Sequence, residues 1–379
     1  MRIVHIIIGL NVGGAELMLK RLVTSHHHTP EYDHRVISLS DLGTVGGELL
    51  SMGIPVSALG MRGAQDVFRT FLRLRSQLIE DRPDIVQTWM YHADFLGGLA
   101  ARSLGIRRIL WGIRTTEIKL GGSRLTRIIR KACALLSPYV PSKIVCAANA
   151  ARRVHEDVGY AASKMLVIPN GFAVEKLFAT SEQVRTIHRL AGLAAEHRVV
   201  GSVGRFNAVK DQRNFVRAAG ILAQRYKNLR FLMIGRDLDQ GNVQLRHWIA
   251  ETGRPECFVL LGERPDVSAC LGTMDIFCLH SRTEGFPNVV GEAMAMARPC
   301  VVTDVGDAAF LVGNTGVVVP REDSLALAEG IERLLSLAPE DLMALGRSAR
   351  QRILKNFTMD HARRQFEKLY QDLYADVRR

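Results

Sequence analysis

Short runs of apolar and β-branched residues alternate with longer stretches of helical spacing along almost the whole chain. This alternation constrains the fold more than any other feature, because a repeated strand–helix–strand succession favours parallel sheets covered by helices. The sequence therefore predicts an α/β protein with doubly wound parallel sheets. The predicted strands are residues 2–8, 35–39, 55–58, 85–88, 109–111, 143–146, 198–203, 229–234, 258–260, 276–279 and 300–303.

The alternation weakens between about residues 169 and 196, where Pro-Asn-Gly precedes a polar helical stretch. It resumes at residue 198, and residues 324–379 again have helical spacing. We therefore predict two Rossmann-like domains. Open α/β sheets bind ligands beyond the carboxyl ends of their strands, so ligand-binding residues are expected directly after predicted strands.

The charge balance indicates an anionic partner. The 379 residues include 50 Lys and Arg against 38 Asp and Glu, a formal net charge of +12, which suits a nucleic acid, a phosphorylated small molecule or an anionic membrane surface. No apolar stretch has the length of a transmembrane helix, and the amino-terminal run resembles a strand more than a signal peptide. Six scattered cysteines without a C-x-x-C pair favour reduced thiols in a cytoplasmic protein.

A glycine-rich segment containing Gly13 and Gly14 follows the first predicted strand. Paired glycines allow close backbone approach, and the next helix offers N–H groups to an anion. The segment does not match the G-x-G-x-x-G pattern of dinucleotide-binding proteins. It is either a phosphate or substrate contact or a structural strand-to-helix turn.

The second motif, residues 201–211, contains Gly204, Arg205 and Lys210 and opens the second predicted domain. An Arg fork and a Lys point charge that leave one loop five residues apart can converge on a diphosphate. The alternative is a solvated basic loop.

The third motif, residues 281–293, places Glu284 in the loop before a helix predicted to begin near Pro287 and Glu292 about one and a half turns along that helix, so one carboxylate lies on each side of the helix amino terminus. A helix amino terminus can hold a phosphate, and a carboxylate can accept hydrogen bonds from two sugar hydroxyls. Two glutamates eight residues apart mean little alone, and the intervening Gly-Phe-Pro-Asn makes the motif more specific. The residues between them are Gly285, Phe286, Pro287, Asn288, Val289, Val290 and Gly291.

These three motifs, in this order, resemble the retaining GT-B glycosyltransferases of family 4 over nearly the whole chain. The resemblance implies two Rossmann-like domains with parallel sheets facing across a cleft. Residues 1–172 would bind the acceptor and residues 190–357 the nucleotide-sugar donor, with a helix at about 358–379 packing back on the first domain. The segments 87–94 and 111–114 resemble the bacterial O-antigen, capsule and exopolysaccharide branch.

The resemblance also implies roles for residues. Arg205 and Lys210 would neutralise the donor diphosphate and stabilise it as a leaving group, Glu292 would hold the ribose, and Glu284 would face the transferred sugar. The implied donor contacts further include Gly13, Gly14, Gly204, Gly285, Phe286, Pro287, Asn288 and Val289. No cofactor and no metal are expected, since the two cations would replace the ion; Asp237 and Asp239, the one Asp-x-Asp pair, are interpreted as a solvated loop.

One position departs from the family. Many members place a His after the strand that here ends in residues 111–113, and this chain has Arg114. His92, after the preceding strand, is the nearest alternative. Arg114 would hold the donor phosphate or an acidic acceptor; His92 is either functional or a hydrogen-bonded helix-start residue.

Residues 101–150 contain ten Lys or Arg and one acid, a net charge of +9. Within them, residues 123–136 form a predicted amphipathic helix whose cations Arg124, Arg127, Arg130 and Lys131 suit an anionic membrane. The alternative is a surface helix with its apolar face in the core. Nucleic-acid binding is not expected, because no recognition motif accompanies the charge.

The resulting hypothesis is a cytoplasmic, peripherally membrane-bound retaining glycosyltransferase. It would move a hexose or N-acetylhexosamine from a nucleotide diphosphate sugar, most simply a UDP-sugar, to a lipid-linked saccharide in surface polysaccharide synthesis. A GT-B-fold nucleotide-sugar epimerase and a non-catalytic sugar-nucleotide or membrane adaptor are the alternatives.

Overall fold

A computed structural model describes residues 1–27, 29–116 and 123–375. The chain divides into two compact units. The first comprises Met1–Gly171 and Met359–Arg379, and the second comprises Phe172–Thr358. Residues 173–189, which the sequence interpretation left between domains, lie in the second unit, where helix Ser181–Leu190 packs against helix Val267–Gly272. Residues 376–379 of the predicted last helix lie outside the described residues.

The strands of the first unit are β1 (Arg2–Ile7), β2 (Asp33–Ser38), β3 (Val56–Ala58), β4 (Ile85–Trp89), β5 (Ile109–Ile113), β6 (Lys143–Cys146) and β7 (Met165–Val167). Its helices are α1 (Gly14–Ser25), α2 (Gly43–Ser51), α3 (Val67–Asp81), α4 (Tyr91–Ser103), α5 (Arg124–Leu136), α6 (Asn149–Asp157) and, from the end of the chain, α15 (Met359–Ala375).

The strands of the second unit are β8 (Arg198–Val203), β9 (Leu229–Ile234), β10 (Phe258–Gly262), β11 (Ile276–Leu279), β12 (Cys300–Thr303) and β13 (Gly316–Val319). Its helices are α7 (Ser181–Leu190), α8 (Gln212–Arg225), α9 (Val243–Ala250), α10 (Val267–Gly272), α11 (Asn288–Ala295), α12 (Ala308–Val312), α13 (Ser324–Leu335) and α14 (Pro339–Asn356).

Each unit is built on a parallel sheet, which confirms the predicted fold class. The strand order is β3-β2-β1-β4-β5-β6-β7 in the first unit and β10-β9-β8-β11-β12-β13 in the second. In both sheets the order reverses between two central strands, β1 and β4 in one and β8 and β11 in the other. Loops leave these strands in opposite directions, which opens a crevice where such folds bind ligands.

Local sequence explains where several helices begin. The Thr180 hydroxyl accepts a hydrogen bond from the Gln183 amide and the Gln183 side-chain oxygen accepts one from the Thr180 amide, so α7 begins with a capping box. Ser123 caps α5 in the same position, and Pro339 occupies the first turn of α14. No described helix is long and apolar enough to span a lipid bilayer.

Helix α15 completes the core of the first unit. Its apolar face, with Phe366 and Tyr370 fully buried, packs with residues of β1, β4 and α1. The Tyr370 hydroxyl also donates a 2.5 Å hydrogen bond to the Gln87 side chain on β4. The first unit therefore depends on a segment that follows the whole second unit in sequence.

We expect Phe366→Ala to destabilise the first unit by about 3–5 kcal/mol, because it empties a fully buried aromatic site. Lys368→Ala, on the exposed side of the same helix, should change the free energy of unfolding by less than about 0.5 kcal/mol. Urea unfolding of both variants tests this. Equal midpoints for the two would show that α15 does not stabilise the unit.

Candidate functional site

In the second unit, the reversal of strand order brings two predicted motifs together. Strand β11 pairs with β8, with Ile276 opposite Val200 and Phe277 opposite Gly201. The loop of residues 204–211 follows β8, and the loop of residues 280–287 follows β11. Both loops therefore leave the same edge of the sheet, although they are separated by about 70 residues in sequence.

His280, which the sequence interpretation did not single out, joins the two loops. Its Nδ1 lies 2.6 Å from the Lys210 carbonyl oxygen, and its Nε2 lies 2.6 Å from the Ser202 hydroxyl. The carbonyl can only accept, so Nδ1 carries the proton and Nε2 accepts from Ser202. Burial lowers the pKa of His280 to about 4, so the ring is neutral at pH 7. The Arg282 amide adds a 2.8 Å bond to the Val209 carbonyl.

Lys210 and Glu284 are in direct contact. The Lys210 Nζ lies 2.6 Å from Glu284 Oε1, and the two side chains are 23% and 13% exposed. The Ser281 hydroxyl donates a 2.7 Å hydrogen bond to the same carboxylate oxygen. A cation and a carboxylate that remain partly accessible beyond the strand ends can meet an anionic group and a hydroxyl group of one ligand.

A second set of ion pairs, centred on Arg282, links the same two loops. Arg282 Nε lies 3.1 Å from the buried Asp211 carboxylate and 3.1 Å from Glu322. Burial raises the pKa of Asp211, and the Arg282 guanidinium opposes that shift. Asp211 itself adopts a left-handed backbone conformation (φ 53°) immediately before α8. Neither residue was identified from the sequence, because the pair depends on which strands are neighbours.

Residues 285–289 contain a buried aromatic side chain, Phe286, and the beginning of helix α11. Phe286 stacks on Phe172 and contacts Phe357, with ring centroids 6.2 and 5.8 Å apart. Helix α11 begins at Asn288, one residue after the predicted start at Pro287. Its first turn therefore lies directly beyond the Glu284 loop, where backbone N–H groups can face an anion. The side chain of Phe286 packs into the unit.

The remaining predicted donor residues lie nearby. Asn288 and Val289 form the first turn of α11, and Glu292, half-buried, lies farther along the same helix. Arg205 is exposed on the loop that carries Lys210, and its carbonyl accepts a 2.9 Å bond from the Gln212 side chain. Gly204 is half-buried and packs against Gly235.

The first unit has its own reversal point, between β1 and β4. Gly13 is the N-cap of α1 and Gly14 its first residue, so this pair opens the helix after β1. His92 is the second residue of α4, after β4. The His92 ring is half-buried, and burial lowers its pKa. A neutral imidazole at pH 7 can accept a proton.

Arg114 follows β5 and is held in a defined position. Its guanidinium carbon lies 4.4 Å from the centre of the Trp89 ring, and Nη1 donates a 2.9 Å hydrogen bond to the Asn170 side chain. Nε and Nη2 are buried, and no described residue accepts a hydrogen bond from them. Burial lowers the pKa of Arg114 to about 10, so it keeps its charge at pH 7. Two unsatisfied donors on a charged group favour an anionic ligand.

A buried carboxyl joins β4, β5 and α4. Asp94 Oδ1 accepts a 2.5 Å hydrogen bond from Thr88 and a 3.2 Å bond from the Gly112 amide. Burial raises the pKa of Asp94 to about 8. The neutral form therefore predominates at pH 7. We infer that Asp94 fixes the strand ends that precede His92 and Arg114.

The predicted basic helix is α5, and it exposes apolar as well as charged side chains. Leu125, Ile128 and Leu135 are 50%, 64% and 78% exposed. They lie beside the exposed cations, whose positions repeat every three or four residues, so charge and apolar surface share one side. Of the predicted cations, Arg124, Arg127 and Lys131 are exposed, whereas Arg130 is half-buried.

The Asp-x-Asp pair forms a turn. Asp239 accepts a 2.8 Å hydrogen bond from the Gly241 amide, and the Asp237 carbonyl accepts one of 2.7 Å from Asn242. Within residues 1–27, 29–116 and 123–375, no three His, Cys, Asp or Glu side chains are grouped so that they could hold a metal ion.

The chain matches two family models, one in each half. Residues 12–176 match the model "Glycosyltransferase Family 4", and residues 197–337 match "Glycosyl transferases group 1". Together they contain the glycine pair, Arg114, and the loops of Lys210 and Glu284.

Similar proteins include bacterial glycosyltransferases, among them a capsular polysaccharide biosynthesis glycosyltransferase of Staphylococcus aureus that is 27% identical over 53% of this chain and 52% of its own length. A putative glycosyltransferase, EpsF, of Bacillus subtilis is 26% identical over 80% of this chain and 79% of its own length. An Escherichia coli galactosyltransferase, UDP-Gal:alpha-D-GlcNAc-diphosphoundecaprenol alpha-1,3-galactosyltransferase, is 22% identical over 82% of this chain and 79% of its own. Among solved structures, Anabaena HepE in complex with UDP has a TM-score of 0.85 at 20% identity, with 98% of this chain and 100% of that chain covered.

We expect Gly306→Ala to disturb the Glu284 loop. Gly306 has a positive φ of 56°, and a Cβ there would clash with the carbonyl oxygens of Glu284 and Gly285. Gly192 has a similar φ of 60° with open space around it, so Gly192→Ala isolates the backbone cost, about 1–2 kcal/mol. In urea unfolding, Gly306→Ala should lose about 1–3 kcal/mol more than this control. Equal losses would mean that the loop accommodates the methyl group.

Proposed function

From the premise that this chain is a glycosyltransferase of the GT-B fold, with a glycosyltransferase domain in each unit, we propose that it is a retaining enzyme that uses a nucleotide diphosphate sugar. The donor would be a UDP-sugar and the acceptor a lipid-linked saccharide of a bacterial surface polysaccharide. The observation that carries the proposal is the contact between Lys210 and Glu284 beyond the central strands of the second unit.

Lys210 and Arg205 supply the charge for the diphosphate. His280 binds the backbone carbonyl oxygen of Lys210, so the backbone from which the Lys210 side chain extends is fixed. Arg205 is on the same loop with an exposed guanidinium. As the bond to the sugar breaks, negative charge grows on the leaving diphosphate, and preformed cations stabilise that charge without reorganisation. In this proposal the two cations replace a metal ion.

Glu284 and Glu292 contact the sugar and the nucleotide. The Ser281 hydroxyl and the Lys210 ammonium group both bind the Oε1 atom of Glu284. These two contacts set the direction in which the second carboxylate oxygen, Oε2, points. It would accept hydrogen bonds from hydroxyls of the transferred sugar, while Glu292 on α11 holds the ribose. Backbone groups of residues 285–289 complete the donor contacts beside the first turn of α11.

Transfer with retention proceeds on one face of the sugar. The bond between the anomeric carbon and the phosphate oxygen breaks, the acceptor oxygen bonds to the same carbon, and the leaving phosphate takes the acceptor proton. No catalytic His is required for this step. Arg114 would bind a phosphate or an acidic acceptor through Nε and Nη2, and Gly13 and Gly14 would allow a ligand to approach α1 closely. His92 is the alternative proton acceptor.

The relatives support the choice of substrates. The name of the E. coli relative specifies UDP-galactose as donor and a sugar diphosphoundecaprenol as acceptor. HepE has been crystallised with UDP and with UDP-glucose. These likenesses favour a UDP-sugar and a lipid diphosphate acceptor for this chain, and the positively charged first unit suits that acceptor.

Helix α5 would hold the first unit on the cytoplasmic face of the membrane. Exposed Leu125, Ile128 and Leu135 can enter the headgroup boundary while the neighbouring cations meet anionic lipids. Cys133 and Ala134 of the same helix are buried, so one side of α5 packs on the unit, and the three exposed apolar side chains beside the cations support a peripheral membrane contact for the other side.

Lys210→Ala and Glu284→Ala should each lower the rate of sugar transfer about 100- to 1,000-fold, because each removes a group from the leaving-group or sugar contact. Lys227→Ala, an exposed Lys of the same unit, should leave the rate within about twofold. The measurement is transfer from a panel of UDP- and GDP-sugars to a lipid-linked acceptor, with circular dichroism of each variant. Undiminished transfer in both variants would rule out the proposed mechanism.

The triple variant Arg124→Glu, Arg127→Glu, Lys131→Glu should bind phosphatidylglycerol vesicles at least about 100-fold more weakly, since each cation near an anionic surface contributes about 1 kcal/mol. Arg217→Glu, Lys227→Glu, Arg347→Glu makes the same charge change at exposed positions of the second unit and should retain most binding. Vesicle sedimentation compares them. If the two triple variants bind equally, α5 is not the membrane contact.

A further inference from the structure

A row of three buried histidines crosses the first unit. His5 Nε2 lies 2.8 Å from His34 Nδ1, and His34 Nε2 lies 3.1 Å from His26 Nδ1. The row continues at both ends, because the Trp89 indole Nε1 donates a 3.2 Å hydrogen bond to His5 Nδ1 and His26 Nε2 lies 3.1 Å from Glu367 Oε1. The three rings are at most 6% exposed.

The two ends of the row determine where every proton lies. An indole N–H can only donate, so His5 Nδ1 accepts and its proton is on Nε2. The same reasoning then assigns the proton of His34 to Nε2 and that of His26 to Nε2, which donates to the Glu367 carboxylate. Three neutral rings of one tautomer are therefore the single arrangement that makes all four hydrogen bonds. Burial lowers the pKa of all three rings, to about 3 for His34.

One end of this row lies at Trp89, the residue that contacts Arg114. Trp89, which donates to His5, carries the Arg114 guanidinium on its ring at 4.4 Å. We propose that His5, His34 and His26 are positioning residues that fix Trp89 and hence Arg114, and that a proton taken up at His26 breaks the row and loosens this support. The proposal rests on the proposed role of Arg114 as an anion-binding residue.

His26 is where a proton would enter. If Nδ1 of His26 takes up a proton, it can donate a hydrogen bond to the Leu22 carbonyl oxygen, 3.2 Å away. It can then no longer accept the hydrogen bond from the Nε2–H group of His34. Glu367 beside it is 21% exposed and raises the pKa of His26 against the larger effect of burial. The His34 bond is therefore the one that is lost.

The charged and titratable groups around the row come from four elements. Helix α15 contributes Glu367, Arg363 and Tyr370, and the loop before β2 contributes Tyr32. Asp33 on β2 and the terminal ammonium group act on His34 in opposite directions. Because burial lowers the pKa values of the folded state below the usual 6.5, the row is complete at pH 6.5 and above, and it is lost only as the pH falls through the lowered pKa of His26.

The first experiment uses the unaltered protein labelled with ¹⁵N in histidine and in the tryptophan indole. At pH 7.5, the three rings should show the Nε2–H tautomer, and the Trp89 indole should show a hydrogen-bonded proton shift. On acidification, the His26 ring and the Trp89 indole should titrate together. A charged ring or an Nδ1–H tautomer at pH 7.5, or an indole signal that ignores the His26 titration, would overturn the proposal.

Variants test whether the row affects sugar transfer. Glu367→Gln keeps a hydrogen-bond acceptor for His26 but removes the negative charge, so the pH midpoint shared by the His26 and Trp89 titrations should move to lower pH. Glu251→Gln, at the exposed His247–Glu251 pair of the second unit, is the matched control and should not move it. The KM for the substrate held by Arg114 should rise about tenfold below the midpoint, the effect of losing one hydrogen bond, with a smaller change in kcat.

The two proposals fail differently. If Arg114→Ala leaves both KM values unchanged, the proposed role of Arg114 is wrong, whereas the coupled titration of His26 and Trp89 would still be observed. If Arg114→Ala raises a KM but the KM of the unaltered protein does not follow the His26 titration, the row does not position Arg114. His34→Phe, which removes the central link, should abolish the titration of the indole signal.

Discussion

The pairing of β11 with β8 is the constraint on which the proposed donor site depends. It places two loops from distant parts of the sequence at one edge of a sheet, where Lys210 meets Glu284. The backbone then secures the arrangement through His280 and the amide of Arg282. Since these bonds are made by main-chain groups and a buried neutral ring, the loops stay in register while the charged side chains above them remain available to a ligand.

Much of the fold follows from local sequence, because a central parallel strand is buried on both faces and needs a continuous apolar run. Strands such as Arg198–Val203 and Ile276–Leu279 accordingly have the predicted bounds. The prediction omitted Met165–Val167 and Gly316–Val319, which are edge strands. An edge strand is partly exposed and has one neighbour, so its existence depends more on pairing than on its own composition.

The candidate site likewise has one part that the sequence predicts and another part that it does not. The residue types at 205, 210, 284 and 292 follow from motifs, because glycines and charges stand directly after strands. The supporting residues could not be predicted. His280 and Asp211 act through partners that only strand order brings close, and the Trp89–Arg114 stack joins two strands. Side chains that support a site have few constraints on spacing in sequence, whereas loops that approach a ligand require particular residues.

The position of α15 has a consequence for the order of folding. During synthesis, Met1–Gly171 leaves the ribosome first, but its core lacks the helix that buries Gln87, and His26 lacks Glu367. The second unit, Phe172–Thr358, is continuous and can fold as soon as it emerges. The second unit can therefore reach its native state before the first unit does. Until α15 arrives, the early segment exposes the apolar side chains that this helix covers, and a chaperone could protect them.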